Sequence, residues 1–428
     1  MVPLLVATGA TMALSVAQRA HCVQMGWVGS DQFWHGCFSD LPSTYQIGHL
    51  HSGLAAYVGG TGVTSDHPVL TGAVMAALGG IVPDGALVDQ TRAYFALWAV
   101  LGTVLAAATV WLTAAARPRR ALDAAHVALS PVLLLAAMVS SDLFGVALVS
   151  GGIWAWSRRR PALAGALLGC AVAARTYPLL VLLALVVLGL RAGRLAAVGR
   201  VLAAAAGAVA VVLLPFLVGN PAAITRFLQV WGDSMAGLGS VWMLPQLLTG
   251  TALPVAATTV LALVGLVLTI LAGCLFALST VRRPTLAEVS LVLVGLALIT
   301  GKSFPVQSSL WLVPLVALCG LRWRDHLVWA SAEALHFVAV WLYVGGLSRP
   351  DRGLPPGWYA VFLVLRVASV AYLVGRVWHT AAQRREVPEV KAEPDGEVEQ
   401  DQLVEQDEPD ELAGVFGAAP DRLIVRLG

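Results

Sequence analysis

Five polar side chains stand at the ends of apolar runs, where a membrane protein would place a polar site. Asp40 follows the first run, Asp142 and Arg175 interrupt later ones, and Lys302 and Gln307 lie between two late runs. A carboxylate pair opposite two cations suits a reaction in which a hydroxyl attacks and a phosphate leaves. The carboxylate takes the hydroxyl proton, while the cations hold the phosphate oxygens as charge grows on them. This pattern predicts a transfer site with Asp40 at its centre.

Each of these residues also has a purely structural explanation. Asp40 and Asp142 each follow a serine and could cap the helix that begins there. Lys302 and Gln307 could simply end an apolar run. Arg175 could extend toward lipid headgroups, but a charge within a membrane is costly without a partner. Arg175 is therefore the hardest of the five to explain as scaffold.

One long loop, residues 20–91, separates the first apolar run from the next run that is long enough to cross a membrane. Histidines in this loop have no regular metal-ligand spacing: His35, His49, His51 and His67. Histidines so spaced more often contact substrate or neighbouring loop residues than a metal ion. The sequence therefore predicts no metal site among them.

The same loop contains two cysteines, Cys22 and Cys37. If the loop faces an oxidising space, these cysteines are predicted to form a disulfide, worth about 3 kcal/mol for a closed loop of this length. Two free thiols are the alternative. The other cysteines lie within apolar runs and are predicted to be small buried hydrophobic residues: Cys170, Cys274 and Cys319.

The composition is that of an all-α polytopic membrane protein. The chain is 58% hydrophobic and 12% charged, whereas soluble proteins carry about 25% charged residues. About 12 membrane spans are predicted, with both termini in the cytoplasm. The predicted spans are residues 3–19, 92–113, 122–140, 143–157, 162–175, 177–190, 196–217, 254–278, 285–301, 308–321, 326–345 and 358–378.

The arginines support this topology. Most arginine clusters fall in connections predicted to be cytoplasmic, as the positive-inside rule requires. Residues 68–82 are apolar but too short for a spanning helix of about 20 residues, so they are predicted to form a juxtamembrane helix on the outer face. Counting them as a span would move every later cluster to the wrong side. Because the basic residues lie in small groups between apolar runs, no nucleic-acid partner is expected.

Two further segments differ from the spans. Residues 219–250 mix polar, aromatic and apolar residues, as a second outer segment lying at the membrane interface would. From residue 381 onward the chain holds 13 Asp/Glu against 5 Lys/Arg. Residues 381–428 are therefore predicted to be an acidic, disordered cytoplasmic tail, which leaves residues 1–380 as the transmembrane domain.

The motifs resemble a known family. Cys-Phe-Ser-Asp-Leu-Pro at residues 37–42 and Asp-His-Pro-Val-Leu-Thr-Gly at residues 66–72 look like the first outer loop of the actinobacterial polyprenol-phosphate-mannose-dependent mannosyltransferases of glycosyltransferase family 87, in the GT-C superfamily. Ser-Asp-Leu-Phe at 141–144, Ala-Arg-Thr-Tyr-Pro at 174–178 and Lys-Ser-Phe-Pro-Val-Gln at 302–307 are similar to later motifs of that family, in the same order. The resemblance covers roughly residues 1–345.

The resemblance implies an inverting transfer of mannose from a polyprenyl-phosphate donor to a hydroxyl of a cell-envelope glycan or lipoglycan. It implies a plasma-membrane enzyme whose active site is extracytoplasmic. By the same resemblance Asp40 is the general base, and Arg175 and Lys302 hold the donor phosphate. Four further residues would line the site: Asp142, Gln307, His67 and Tyr177.

This chain departs from the family pattern at several positions. The family usually has Tyr where Phe38 stands, Glu-Tyr-Pro at residues 66–68, Lys where Arg175 stands, and no residue at Val306 between Pro and Gln. Arg175 keeps the positive charge that a phosphate needs. The other changes bear on the identity of sugar and acceptor, and on whether the chain is active.

Two other functions fit a chain of this class. A transporter or flippase for lipid-linked sugars would favour charged residues deep in several spans and symmetric halves. A catalytically silent scaffold with the family fold is the other alternative. The sugar, the acceptor, the linkage, the lipid chain length, the oligomeric state and the help of a divalent metal ion stay open at this stage.

Overall fold

The computed structural model of the protein describes residues 1–383 and 411–425. Within these residues every regular element is a helix, which confirms the predicted all-α fold. Five helices are long and apolar enough to cross a membrane. They are Leu87–Ala116, Leu195–Gly219, Val255–Ser279, Trp323–Ser348 and Pro356–Ala382. Shorter apolar helices stand at most of the other predicted spans, and the number of about 12 spans stays a prediction.

The long loop at residues 20–91 is mostly helical as well. After α1 (Val2–Ala17) it contains α2 (Ala20–Met25), α3 (Asp31–Trp34), α4 (Asp40–Ile47), a 3₁₀ helix (Leu50–Ser52), α5 (Gly53–Gly59) and α6 (Val69–Gly79). With 11 residues, α6 is shorter than a span, as predicted for residues 68–82. The Cys22 and Cys37 sulfurs are joined at 2.05 Å, so the disulfide ties α2 to the chain just before α4.

The helices that follow the loop are α7 (Leu87–Ala116), α8 (Ala125–Ala128), α9 (Pro131–Ala136), α10 (Asp142–Ser157), α11 (Pro161–Ala174), α12 (Pro178–Arg191), α13 (Leu195–Gly219), α14 (Pro221–Asp233), α15 (Leu244–Thr249), α16 (Val255–Ser279), α17 (Leu286–Thr300), α18 (Val313–Leu318), α19 (Trp323–Ser348) and α20 (Pro356–Ala382). Further 3₁₀ helices cover Pro118–Ala124, Val241–Met243, Val306–Trp311 and Glu411–Phe416. The second outer segment, predicted at residues 219–250, contains α14 and α15.

Two predicted spans are not single helices. Residues 122–140 are divided among a 3₁₀ helix, α8 and α9. The division falls at Ser130, whose hydroxyl accepts from the Val132 N–H at 3.2 Å, and at Pro131, which has no N–H to continue the preceding helix. Residues 308–321 are likewise divided between Val306–Trp311 and α18. Ser140 lies between α9 and α10, Asp142 is the first residue of α10, and Gln307 lies near the start of Val306–Trp311.

Close packing fixes the position of Arg175. The residue follows α11, which lies against α13 with two glycines at the contact, Gly165 and Gly169. A Cβ at either position would collide with a backbone carbonyl oxygen of α13. Small residues allow helices in membranes to approach this closely. The end of α11, and with it Arg175, is therefore held firmly against its neighbour.

The C-terminal segment corrects the prediction of a disordered tail. Residues 384–410 of that tail lie outside the described residues, but residues 411–425 pack against the helices. Leu412 and Phe416 are buried, and the Trp156 indole N–H donates to the Leu412 carbonyl at 3.1 Å. The prediction failed because residues 381–428 are acidic as a whole, whereas residues 411–425 supply apolar side chains that the helix bundle buries.

A carboxylate anchors this segment. Asp421 Oδ2 accepts from Arg191 Nη2 at 2.7 Å, and Asp421 Oδ1 accepts from Arg283 Nε at 2.7 Å. The Arg191 side chain is fully buried, and a buried cation is costly to leave without its counter-ion. Both arginines belong to connections predicted to be cytoplasmic. Through Asp421, the C-terminal segment therefore links the end of α12, which carries Arg191, to the connection between α16 and α17, which carries Arg283.

We expect Asp421→Asn to destabilise the protein by about 3 kcal/mol, because it removes the negative partner of a buried arginine. The thermal unfolding midpoint of the detergent-purified protein measures the effect. Asp89→Asn is the matched control, because its partner Arg92 forms an exposed ion pair worth less than about 1 kcal/mol. Equal midpoints for the two variants would contradict an anchoring role for Asp421.

Candidate active site

Asp40 is the first residue of α4, and a distant part of the chain holds its backbone. The Asp40 N–H donates to the Val139 carbonyl at 2.7 Å, and the Ser39 hydroxyl donates to the same oxygen at 3.4 Å. Ser39, not Asp40, is the residue that caps α4. The Asp40 carboxylate is therefore not used as a helix cap.

The Asp40 carboxylate faces a cavity of ≈ 260 Å³. The cavity walls are mostly apolar, and three aromatic rings form one of them: Phe33, Phe38 and Trp341. The Phe38 and Trp341 ring centroids lie 4.7 Å apart, and those of Phe33 and Phe38 lie 5.4 Å apart. Only Asp40, Gln307 and His336 contribute polar side chains to this lining. Such a pocket, apolar with a few convergent polar groups, is typical of a substrate site.

The surroundings of Asp40 favour a proton acceptor at neutral pH. Gln307 Nε2 donates to Asp40 Oδ2 at 3.3 Å, the one side-chain hydrogen bond that this carboxylate receives from the described residues. Burial raises the pKa of Asp40 to about 7, with a further contribution from the charge of Asp142, while Arg175 opposes the shift. A base whose pKa lies near the working pH is suited to general base catalysis.

Asp142 and Arg175 form a buried ion pair. Arg175 Nε donates to Asp142 Oδ1 at 3.1 Å and Arg175 Nη2 donates to Asp142 Oδ2 at 3.0 Å. Two more donors complete the carboxylate, the Ser140 hydroxyl at 2.7 Å and the Trp311 indole N–H at 2.7 Å. With four hydrogen bonds Asp142 is satisfied, so it is suited to orient Arg175 and not to accept a proton. Snorkelling does not describe Arg175, since its side chain is buried.

Tyr177 supports this pair from one side. Its ring stacks on Trp311 with centroids 4.4 Å apart and an interplanar angle of 12°. Because Trp311 donates to Asp142, the stack helps to fix the direction of that hydrogen bond. Tyr177 itself is buried. Tyr177, one of the predicted lining residues, therefore acts on Asp142 only through Trp311.

His67 contacts the same guanidinium. Arg175 Nη1 lies 3.0 Å from His67 Nδ1, and because a guanidinium can only donate, Nδ1 accepts. Burial and the charge of Arg175 lower the pKa of His67 to about 3, so the imidazole stays neutral at physiological pH. The neighbouring Asp66 turns away and pairs with Arg226 at 2.7 Å on the exposed side.

Lys302 lies apart from Arg175. Its ammonium donates to the carbonyls of Trp231 and Gly232, each at 2.9 Å, and to the Thr259 hydroxyl at 2.8 Å. An ammonium has three donors, so these contacts use all of them. The predicted role of Lys302 in holding a phosphate beside Arg175 has no support in this geometry. Its contacts instead tie the end of α14 to α16.

Two features of the site have weak sequence signals. His336, on α19, lines the cavity with Asp40, and its Nε2 lies 3.2 Å from the Tyr359 hydroxyl. Arg366 pairs with Glu333 at 2.7 Å and donates to the Pro305 carbonyl at 3.1 Å, which holds the chain that carries Gln307. A polar residue within an apolar run is a signal in itself, but it does not reveal which cavity the side chain faces.

One group of side chains has the mutual distances of metal ligands, within the part of the chain that the structure describes. It consists of His21, Asp31 and His35. This group lies in the outer loop and includes neither Asp40 nor Asp142. The residues around Asp40 offer no comparable set.

A family model described as glycosyltransferase family 87 matches residues 67–304, more than half of the 428-residue chain. The match confirms the predicted family. It includes His67, Asp142, Arg175 and Lys302, while Asp40 and Gln307 fall outside it. No curated protein matches the chain.

Proposed function

Because the chain belongs to glycosyltransferase family 87, we propose that this membrane glycosyltransferase moves mannose, or a similar sugar, from a polyprenyl-phosphate donor to a hydroxyl of an envelope glycan or lipoglycan. One observation carries the proposal. Asp40 lines an open cavity, and the charges of Asp142 and Arg175 act on its carboxylate. A transferase that joins two substrates needs its base between them.

The reaction is a single displacement. The acceptor hydroxyl, bound in the cavity, forms a bond from its oxygen to the anomeric carbon of the sugar. The bond from that carbon to the phosphate oxygen breaks, and its electron pair leaves with the phosphate. Asp40 takes the hydroxyl proton, while Gln307 holds one carboxylate oxygen and leaves the other for the proton. Attack opposite the leaving group inverts the anomeric configuration.

Arg175 is the residue that we assign to the donor phosphate. Its bidentate contact with Asp142 fixes the plane of the guanidinium. The Nη1 atom, which contacts only the neutral His67 among the described residues, has a further N–H to offer. Because the ion pair is neutral as a unit, the phosphate competes with Asp142 for the guanidinium. Lys302 we assign to positioning the outer segment.

The outer face of the plasma membrane is the proposed location of this chemistry. The arginine distribution supports a cytoplasmic position for both termini. The Cys22–Cys37 disulfide supports this orientation, since such bonds persist in oxidising compartments. Asp40 follows this disulfide by only three residues. The lipid-linked donor would reach Asp40 from the membrane.

The proposal is tested with purified protein, labelled polyprenyl-phosphate mannose and a panel of envelope glycan acceptors. We expect transfer, and at saturating donor we expect kcat/KM for the acceptor to rise about tenfold between pH 6 and 8 and then to level off. The reason is that only ionised Asp40 accepts the proton, and a group with a pKa of about 7 changes its ionised fraction by about that factor. A rate that is flat or falls over this interval would contradict Asp40 as the base.

The same assay separates the alternatives. Donor binding without transfer to any acceptor, together with equilibration of the donor across vesicle membranes, would identify a flippase. Donor binding with neither activity would identify a silent scaffold. The charges of Asp142 and Arg175 act on Asp40, and this closeness favours the transferase over a path across the bilayer, which would separate such residues along its length.

A further inference from the structure

We propose that His21, Asp31 and His35 form a binding site for one divalent transition-metal ion of the Zn²⁺ type. Their potential ligand atoms all lie within 4.8 Å of one another. His21 Nε2 is 2.7 Å from Asp31 Oδ2, and His35 Nε2 is 3.7 Å from the same oxygen. The proposal does not depend on the transferase activity, because it concerns a separate part of the outer loop.

The ligand set suits such an ion. Imidazole nitrogen and carboxylate oxygen bind Zn²⁺ at about 2.0–2.2 Å, which in a tetrahedral site separates ligand atoms by about 3.3 Å. The observed separations of 2.7 and 3.7 Å lie on either side of that value. Because an imidazole binds a metal ion in its own ring plane, one of the two stacked rings turns when the ion binds. Each side chain is about one third to one half exposed, so an ion has access and water can complete its coordination.

The two histidines approach the same carboxylate oxygen of Asp31. One hydrogen bond does not explain this arrangement, because it involves only one of the two rings. Both Nε2 atoms point at one oxygen of Asp31, although only His21 is close enough to donate a good hydrogen bond. Their rings stack with centroids 3.6 Å apart, an arrangement that two protonated imidazoles would oppose by repulsion. An ion bound to both Nε2 atoms and the carboxylate would satisfy all three groups.

The disulfide assembles the site. His21 is adjacent to Cys22, and His35 is two residues before Cys37. Asp31 and His35 lie one turn apart at the two ends of α3, on the same face. The cross-link therefore brings ligands from two short helices together before any ion binds. Preformed ligands bind more tightly because less conformational freedom is lost.

Binding would stabilise one wall of the active-site cavity. Phe33 lies within α3, between Asp31 and His35, and lines the cavity that Asp40 faces. An ion that fixes both ends of α3 would fix this ring against Phe38 and Trp341. The ion is thus assigned a structural role. No step of the transfer reaction passes through it.

The test uses protein purified with a tag that lacks histidine and stripped of metal with a chelator. Titration with ZnCl₂ by calorimetry, and with CoCl₂ by visible absorption, measures binding of the ion alone. We expect one ion per chain, and binding about tenfold or more weaker in Asp31→Asn and in His35→Gln.

Two controls make the result specific. His49 and His51 are also loop histidines, but their rings meet edge-on 6.1 Å apart, and neither belongs to the His21 group; His49→Gln and His51→Gln should bind as the unmodified protein does. Arg352→Gln should bind more tightly, because the Arg352 charge acts on Asp31. Absence of binding, or binding that Asp31→Asn and His35→Gln leave unchanged, would overturn the proposal.

Discussion

Asp40→Asn is expected to reduce sugar transfer by a factor of about 10²–10⁴, the usual contribution of a general base. Asparagine has the size of aspartate and can still accept the hydrogen bond from Gln307, so the cavity should keep its shape. What it lacks is basicity. The measurement is kcat for transfer at saturating donor and acceptor, together with donor affinity, which should not change.

Unfolding would not explain such a loss. The pKa of Asp40 is raised in the folded protein to about 7, so ionising this carboxylate costs stability as pH rises from the unfolded-state pKa toward the folded one. A neutral asparagine avoids that cost, so at pH 8 the variant should unfold no earlier than the unmodified protein. Asp66→Asn, an exposed carboxylate of the same loop, is the control and should retain transfer. Retention of more than about a tenth of the activity by Asp40→Asn would reassign the base.

Arg175→Gln should cost about 3–5 kcal/mol of stability, because it leaves the buried Asp142 carboxylate without a cation. Transfer should fall with it. Thermal unfolding in detergent and donor affinity measure the two effects separately. Arg226→Gln is the matched control, since Arg226 pairs with Asp66 in an exposed position and should change stability by less than about 1 kcal/mol.

The double variant Arg175→Gln with Asp142→Asn separates the two roles of Arg175. It removes both charges of the pair, so part of the lost stability should return. Donor affinity should not return if the guanidinium binds the phosphate. Recovery of donor affinity along with stability would show that Arg175 only supports the fold. Arg175→Lys keeps the charge but not the planar fork. Its stability and donor affinity should therefore lie between those of the unmodified protein and those of Arg175→Gln.

The sequence predicted the helices best where apolar runs are uninterrupted. The predicted span 143–157 differs from α10 by one residue at its start, and the predicted span 177–190 differs from α12 by one residue at each end. Prediction failed at residues 122–140, where Ser130 and Pro131 divide the run, because hydrophobicity reports burial and not helix continuity. It failed again at residues 411–425, where contacts with distant helices override an acidic composition.

For the site, the residue types carried more information than their positions. Asp142, Arg175 and His67 come together as their chemistry suggested, since buried charges need partners. The phosphate-binding role of Lys302 stays a prediction. The three oxygens from α14 and α16 that accept hydrogen bonds from its ammonium leave no local signal in the sequence. His336 was missed for the same reason. Only the fold reveals that it faces the cavity of Asp40.

The hydrogen bond from the Asp40 N–H to the Val139 carbonyl fixes the distance between two parts of the site. Asp142, which pairs with Arg175, follows Val139 by three residues, so this short stretch helps to set the spacing between Asp40 and the Asp142–Arg175 pair. Each residue added to it would lengthen the path by up to about 3.8 Å, more than a hydrogen bond can absorb. Side chains here can vary in kind as long as Asp142 keeps its partners. Insertions and deletions cannot be accommodated, because they would separate the two halves of the site.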